Sequence, residues 1–288
     1  MPAPPGTAPD VRARQLAQKL SEEWHQTVIV DNRPGANGNI AMDFATRAAP
    51  DGYTLAMINI QQAINPHLMK VSYDTLKDFV AVSKVTAGPL ILLVNAATPA
   101  NTLAELVRHA RANPGKLNLA TAGLGTLGHL GIMVLNRSAG TEFTIVPYKG
   151  GGTQVYTDLI GNQVQVTWDF ASVAMPYLST GRVKALAVAA EKRLAVLPDV
   201  PTFQELGYPD IQLFGWQGIA APTGTPPELV RLLNRAIVKT LSLPDVRDAI
   251  TATGAEVGGD SPEQFAAYIR AEHARWGKLI ADAGIRLE

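Results

Sequence analysis

Val11, Leu16, Leu20 and Trp24 recur at spacings of four and five, with Ala13 and Ala17 on the same side, which predicts an amphipathic helix from Pro9 to His25. Pro9 suits its first turn and Asp10 its positive end. A strand is expected at Thr27–Val30, then a turn through Asn32–Gly38, a short helix through Ala45 and a strand at Tyr53–Ile58. Val80–Val85 and Leu90–Val94 read as two more strands around a break at Gly88-Pro89. A second set opens at Asn101, placed to cap a helix running to Ala112, and continues with strands at 117–121, 143–147, 164–168 and 184–189, each separated by one helix length. Gly215–Pro222 reads as a strand returning to the first set, and helices are expected at Pro227–Leu241, Asp245–Thr253 and Pro262–Ala283. Alternating strand and helix implies an α/β fold with a parallel sheet covered on both faces. The first helix has no strand before it, so an N-terminal element is expected to be missing.

Composition narrows the function. With 288 residues, two domains are expected. The 25 basic and 25 acidic residues balance, and no local basic cluster interrupts the balance, so no nucleic-acid partner is expected. The longest strongly apolar run, Leu90–Val94, falls far short of the ~20 residues a spanning helix needs. The absence of cysteine excludes thiolate chemistry and disulfides but leaves the compartment open. No leader is visible, so the protein is either intracellular or written without its leader.

One stretch carries a named motif. In Thr121-Ala-Gly-Leu-Gly-Thr-Leu-Gly-His129, Gly123, Gly125 and Gly128 spell G-x-G-x-x-G between a strand and a helix, as in a dinucleotide-binding turn. That fold needs a carboxylate ~20 positions on, at the end of the next strand, yet this strand ends in Val146-Pro147-Tyr148-Lys149 and Glu142 sits at its start. Lys149 would suit a 2′-phosphate, which keeps an NADP-dependent oxidoreductase as the alternative of another class. A glycine-rich turn entering a helix is an anion site in either case. There is no G-x-S-x-G, H-E-x-x-H or Walker motif, and the five histidines are scattered, so neither a catalytic set nor a metal site is expected.

Four loops at strand-to-helix junctions are rich in Gly, Thr, Asn and Gln: Pro4–Asp10, Asn59–Asn65, Thr121–His129 and Pro147–Thr153. Burying a carboxylate costs several kcal/mol, whereas a helix N-terminus returns about 0.3 to 2 and a charge-assisted hydrogen bond about 1.5 to 3, so converging loops are needed to hold one. Each residue also has a plain structural use. The glycines suit a tight turn, Thr121 and Thr126 a helix cap, and His129 a buried residue ordering the loop. Asp169, after the alternating strand Val164–Trp168, either caps the next helix or accepts a ligand's amino or hydroxyl group.

Taken in order, Asp31-Asn-Arg-Pro-Gly-Ala-Asn-Gly, Ala49-Pro-Asp-Gly-Tyr-Thr-Leu, Ile64-Asn-Pro-His-Leu, Val146-Pro-Tyr-Lys-Gly, Leu197-Pro-Asp-Val-Pro-Thr and Ala221-Pro-Thr-Gly-Thr-Pro resemble one family. It is that of the extracytoplasmic solute receptors of tripartite tricarboxylate transporters, the Bug or TctC family. The resemblance runs from about Pro4 to the C-terminus and implies a type II periplasmic binding fold with a ligand cleft between two α/β lobes. It implies lobe 1 at 1–97 and 219–288 and lobe 2 inserted at 98–218. It further implies a small carboxylate ligand, no cofactor, no enzymatic activity, a periplasmic monomer, and delivery to the transporter's membrane subunits. Carried over residue by residue, the binding positions are Pro5, Gly6, Thr7, Ala8, Asn59, Gln61, Ala63, Thr121, Gly123, Thr126 and His129, with Lys149 beside them and Asp169 where ligand chemistry varies. An acid there suits an amino acid or a hydroxylated acid better than a plain polycarboxylate. Two departures stand out: the chain begins inside the Pro-Gly loop, and Thr7 stands where the family commonly has a second glycine. A ligand sensor acting on a signalling partner remains a further alternative to delivery.

Overall fold

The computed structural model describes residues 1–148 and 152–285. They form two units: Met1–Ala87, Trp216–Thr251 and Glu256–Glu288 make unit 1, and Gly88–Gly215 with Ala252–Ala255 makes unit 2. Two of these boundaries, at 87/88 and 215/216, fall inside strands.

Unit 1 opens with α1, Ala8–Trp24, which has Pro9 in its first turn and ends on His25 in the left-handed region. Leu16, Ala17 and Leu20 are buried, but Val11 is 58% exposed. Five residues before Leu16 is well off a helix face of period 3.6, so Val11 does not share that face. No strand forms at Thr27–Val30, and Ile29 is 79% exposed. Two hydrogen bonds lie beside it: the Met1 amine donates to the Asp31 carbonyl and the Arg33 N–H to the Met1 carbonyl. A 3-10 turn Ala36–Gly38 leads into α2 (Asn39–Thr46), β1 (Ala56–Asn59) and α3 (Ile60–Leu68). Later come α8 (Pro227–Ser242), α9 (Pro244–Thr251), the two-residue β8 (Glu256–Val257) and α10 (Pro262–Ala283). Trp216, Phe265, Trp276, Met42 and Ile64 are fully buried here, with the Trp216 and Phe265 rings edge to face at 5.6 Å.

The two strands read around Gly88-Pro89 are one, β2, running unbroken over Phe79–Asn95. The Gly-Pro pair marks a change of partners rather than an end. Before it, Thr86 and Ala87 pair with β8, and after it Leu90–Asn95 pair with strands of unit 2. Beside β2 in unit 1 lies β7 (Phe214–Pro222), which pairs antiparallel with β1. The ladders with registers in unit 1 are thus antiparallel, not the parallel sheet that alternation implied.

Unit 2 holds that parallel arrangement in part. It comprises α4 (Leu103–Ala112), β3 (Asn118–Thr121), α5 (Leu127–Ala139), β4 (Thr144–Pro147), α6 (Thr153–Ile160), β5 (Val166–Phe170), α7 (Ala171–Leu178) and β6 (Val183–Val188). β3 runs parallel to both β4 and β5, while β2 enters antiparallel between β5 and β6. The cap of α4 is Thr102, whose hydroxyl accepts from the Glu105 N–H, and Asn101 instead donates its N–H to the Glu105 carboxylate. Ile91, Leu93, Ala120, Tyr156, Leu159 and Val164 form a buried core on one face of this sheet.

Candidate ligand-binding site

Parallel strands β3, β4 and β5 all deliver their carboxyl ends to one edge of the unit 2 sheet, the edge where open α/β sheets place ligands. Thr121 closes β3, and its hydroxyl lies 2.9 Å from that of Thr126. Thr126 caps α5: its hydroxyl donates to the Gly123 carbonyl at 2.7 Å and accepts from the His129 N–H at 3.4 Å. Gly123 at φ +138° and Gly125 at φ +76° hold backbone conformations that a side chain resists. Gly128 answers a different need, since a Cβ there would meet Thr121 Oγ1 at 3.4 Å and Trp168 Cβ at 3.7 Å. The turn therefore points a thirteen-residue helix, with no acid in its first turn, at the sheet edge, which makes the region attractive to anions.

His129 is 5% exposed, and its Nδ1 accepts from the Gly125 N–H at 3.1 Å. Burial lowers its pKa, so the ring is neutral and orders the turn from beneath. Tyr148 follows β4, its N–H donating to the Thr121 carbonyl and its hydroxyl to Asp158 at 2.6 Å. Lys149 lies outside the described residues, as does the side chain of Ala8.

Asp169 is the penultimate residue of β5, just before α7 and bonded to Tyr156 of α6. Its carboxylate accepts from the Tyr156 hydroxyl at 3.0 Å and from the Phe170 N–H at 2.8 Å. It does not cap α7, whose first flanking residue is Phe170. Burial pushes its carboxyl up to about 6, against the smaller opposing pull of the Phe170 and Tyr156 hydrogen bonds. Burial also raises the Tyr156 phenol, with the Asp169 charge adding to it, so that Tyr156 acts only as a donor. The Tyr156 ring stacks on Tyr177 at 3.7 Å. A carboxylate has about four acceptor sites, and these two donors fill two.

In unit 1 the loop before α1 turns much of its polarity inward. Gly6, at φ +80°, donates its N–H to Asp10 at 2.9 Å, and the Thr7 hydroxyl donates to the Pro4 carbonyl that precedes Pro5. The sequence reading assigned Asp10 only to the helix dipole and missed its part in ordering this loop. Its carboxylate is 1% exposed and also accepts from Arg14 and Asn32, and these hydrogen bonds, Arg14 first, hold its pKa down to about 2. The legible signal was the Gly-x-x-x-Asp spacing, which suits a carboxylate folding back on the loop that precedes its helix. At the second loop Asn59 caps α3 in a capping box with Gln62, its side chain accepting from the Gln61 N–H. Gln61 reaches Asn65, which bonds Asn39, and Tyr73 donates to the same Asn39 oxygen. Ala63 is wholly buried beneath this amide cluster.

The chain matches the sequence profile of the tripartite tricarboxylate transporter family receptor over residues 12–285. It belongs to that family. It is 35% identical to the protein BugT of Bordetella pertussis, covering 100% of this chain and 89% of the relative. It is 37% identical to a protein of the tcbD-tcbE intergenic region of a Pseudomonas species, covering 98% and 84%. Among solved structures, an R. palustris protein with adipate aligns at TM-score 0.91 with 33% identity over 99% of this chain and 96% of that one. MatC of Rhodopseudomonas palustris with bound malate aligns at 0.85 with 33% identity over 97% and 96%, and the periplasmic binding protein BugD at 0.89 with 31% over 99% and 97%. These family structures carry the fold class expected above, an α/β periplasmic binding fold. No helix among the described residues is long and apolar enough to cross a membrane.

Proposed function

We propose that this receptor binds a small organic carboxylate outside the cytoplasm and delivers it to the membrane subunits of a tripartite tricarboxylate-type transporter, without catalysing a reaction. The observation that carries the reading is the Thr121–His129 turn: a capped helix start, three glycines and a neutral histidine, in a chain of this receptor family. The bound adipate and malate of two family structures support a carboxylate as ligand class. The proposed contacts are Thr121, Gly123 and Thr126 in unit 2, Pro5–Ala8, Asn59 and Gln61 in unit 1, and Lys149, which lies outside the described residues; Ala63, wholly buried, packs under its loop instead. His129 and Asp10 order their loops from behind. Asp169 favours a ligand that brings a hydrogen-bond donor, a hydroxyl or an ammonium group, because a second ligand carboxylate would face its charge.

The test is a thermal-shift screen against mono-, di- and tricarboxylates, amino acids, aromatic acids and NADP(H), followed by calorimetry on each hit. A ligand at about 100 times its Kd adds about 2.7 kcal/mol, a readily resolved shift. Stabilisation by one class of carboxylate, strongest for members with a hydroxyl or amino group, is expected. Stabilisation by NADP(H) alone would overturn the reading in favour of an oxidoreductase.

A further inference from the structure

Four residues sit apart from their chain neighbours. Ala252–Ala255 belong to unit 2, although α9 before them and β8 after them belong to unit 1. Both flanks are tied down. The Thr86 hydroxyl donates to the Glu256 carbonyl, and the Gly258 and Gly259 N–H groups donate to the Val85 and Lys84 carbonyls, so the strand side is lashed to β2. On the helix side, Arg12 of α1 donates to the Ala249 carbonyl and Lys19 pairs with Asp245 at 2.8 Å. Thus α9 rests on α1, the helix that starts at the Pro5–Thr7 loop.

The four-residue tether itself is fitted closely. Gly254 has φ +74°, and a Cβ there would stand 2.8 Å from Val196 Cγ2, 3.2 Å from Ala171 Cβ and 3.6 Å from Leu194 Cδ1. Ala255 packs on Gly88, where an added Cβ would meet it at 3.6 Å. Ala171 is the first residue of α7, buried, and two positions after Asp169. Only a residue without a side chain, in a left-handed conformation, lets the tether lie this close to the start of α7.

We propose that the Ala252–Ala255 tether positions the β5–α7 junction and with it the ligand acceptor Asp169, and that Gly254 is the positioning residue on which this depends. The inference rests on the carboxylate-receptor reading for its ligand, but not for its mechanics.

Gly254→Ala tests it, with Gly207→Ala as control. Gly207 has a similar φ of +87° but nothing within 4 Å of its added Cβ, so it carries the backbone strain without the clash. In the absence of ligand, Gly254→Ala is expected to speed amide exchange across Ala171–Leu178 while exchange in α4 stays unchanged, and Val196→Ala in the same chain is expected to restore slow exchange. Affinity for the carboxylate found by the screen is expected to fall roughly two- to thirtyfold in Gly254→Ala, the range seen for substitutions that alter coupling without touching ligand. Gly207→Ala is expected to leave both readouts at wild type. Should Gly254→Ala fail to fold, Leu194→Ala with Val196→Ala loosens the cradle from the other side and is expected to give the same exchange signature. If exchange across α7 matches the Gly207 control, the tether positions nothing and the proposal is overturned. If exchange changes but the wild-type protein binds no carboxylate, the receptor reading fails while the mechanical one stands.

Discussion

Asp169 offers a direct test of how deeply the carboxyl edge of β5 is buried. Its folded-state pKa of about 6 lies above the ordinary 3.8, so protonation favours the fold. The term therefore stabilises fully below the unfolded value and is lost as pH rises through the folded one. The whole difference is worth about 3 kcal/mol. Between about pH 8, where both forms are ionised, and about pH 5, where the folded form is largely protonated and the unfolded form is not, roughly half of it returns. Asp169→Asn removes the titration while keeping a carbonyl oxygen to accept from Tyr156 or Phe170. Urea unfolding of wild type and variant at both pH values gives a double difference in which every other titrating group cancels. Wild type is expected to gain on the order of 1 kcal/mol on the variant on going from pH 8 to pH 5. A double difference of zero would refute the argument and mean that water reaches the carboxylate freely. The same substitution is expected to shift ligand ranking toward plain diacids, because an amide no longer repels a second carboxylate.

Thr126→Val keeps the shape of the α5 cap but loses its hydrogen bonds to Gly123 and His129, so unfolding stability should fall by about 1 kcal/mol, read by urea titration. Asp10→Asn tests the loop before α1 in the acid range. A carboxyl held down to about 2 contributes stability above its unfolded value that is lost as pH falls, so wild type should lose melting temperature between about pH 4 and pH 2 and the variant should lose less. An Ala at Gly131 would bring a Cβ to 2.5 Å from Leu213 Cδ1, and overpacking of this kind costs about 1 to 3 kcal/mol, measured as a lowered urea midpoint at unchanged slope.

How far the sequence could be read depended on whether a signal was local. Helices α1, α8 and α10 were legible because periodicity and Pro in the first turn act within one segment, joined in α1 and α10 by a left-handed end. The strand expected at Thr27–Val30 had the right residues, but a strand exists only with a partner, and among the described residues no ladder is assigned to it. At Gly88-Pro89 the local break signal was real, yet partners on both sides kept β2 straight through it. Site residues divided the same way. The Thr126 cap and the ordering role of His129 follow from spacings of three and four. The Tyr156 bond to Asp169 and the packing of Gly254 on Ala171 join distant segments, and nothing in either segment announces the other.

The G-x-G-x-x-G motif shows why a pattern alone cannot name a ligand. Its three glycines answer to three separate constraints: a φ of +138° at Gly123, a φ of +76° at Gly125, and contact with Thr121 and Trp168 at Gly128. All three concern the entry of a strand into a helix, and any anion at the helix start would accept them. What makes such a turn specific for a dinucleotide is the acid at the end of the next strand that holds the ribose. Here Glu142 lies at the opposite end, its carbonyl accepting from the Gly115 N–H where β3 begins rather than where it delivers its turn. The end that does deliver carries Tyr148, whose hydroxyl is spent on Asp158, and burial together with that carboxylate pushes the phenol up to about 12. The edge thus combines an anion-attracting helix start with neutral donors, and its nearest carboxylate along β5, Asp169, is turned toward Tyr156. On the proposed reading such chemistry suits a small acid that carries one donor group, and no ribose acceptor stands at the end of β4 among the described residues.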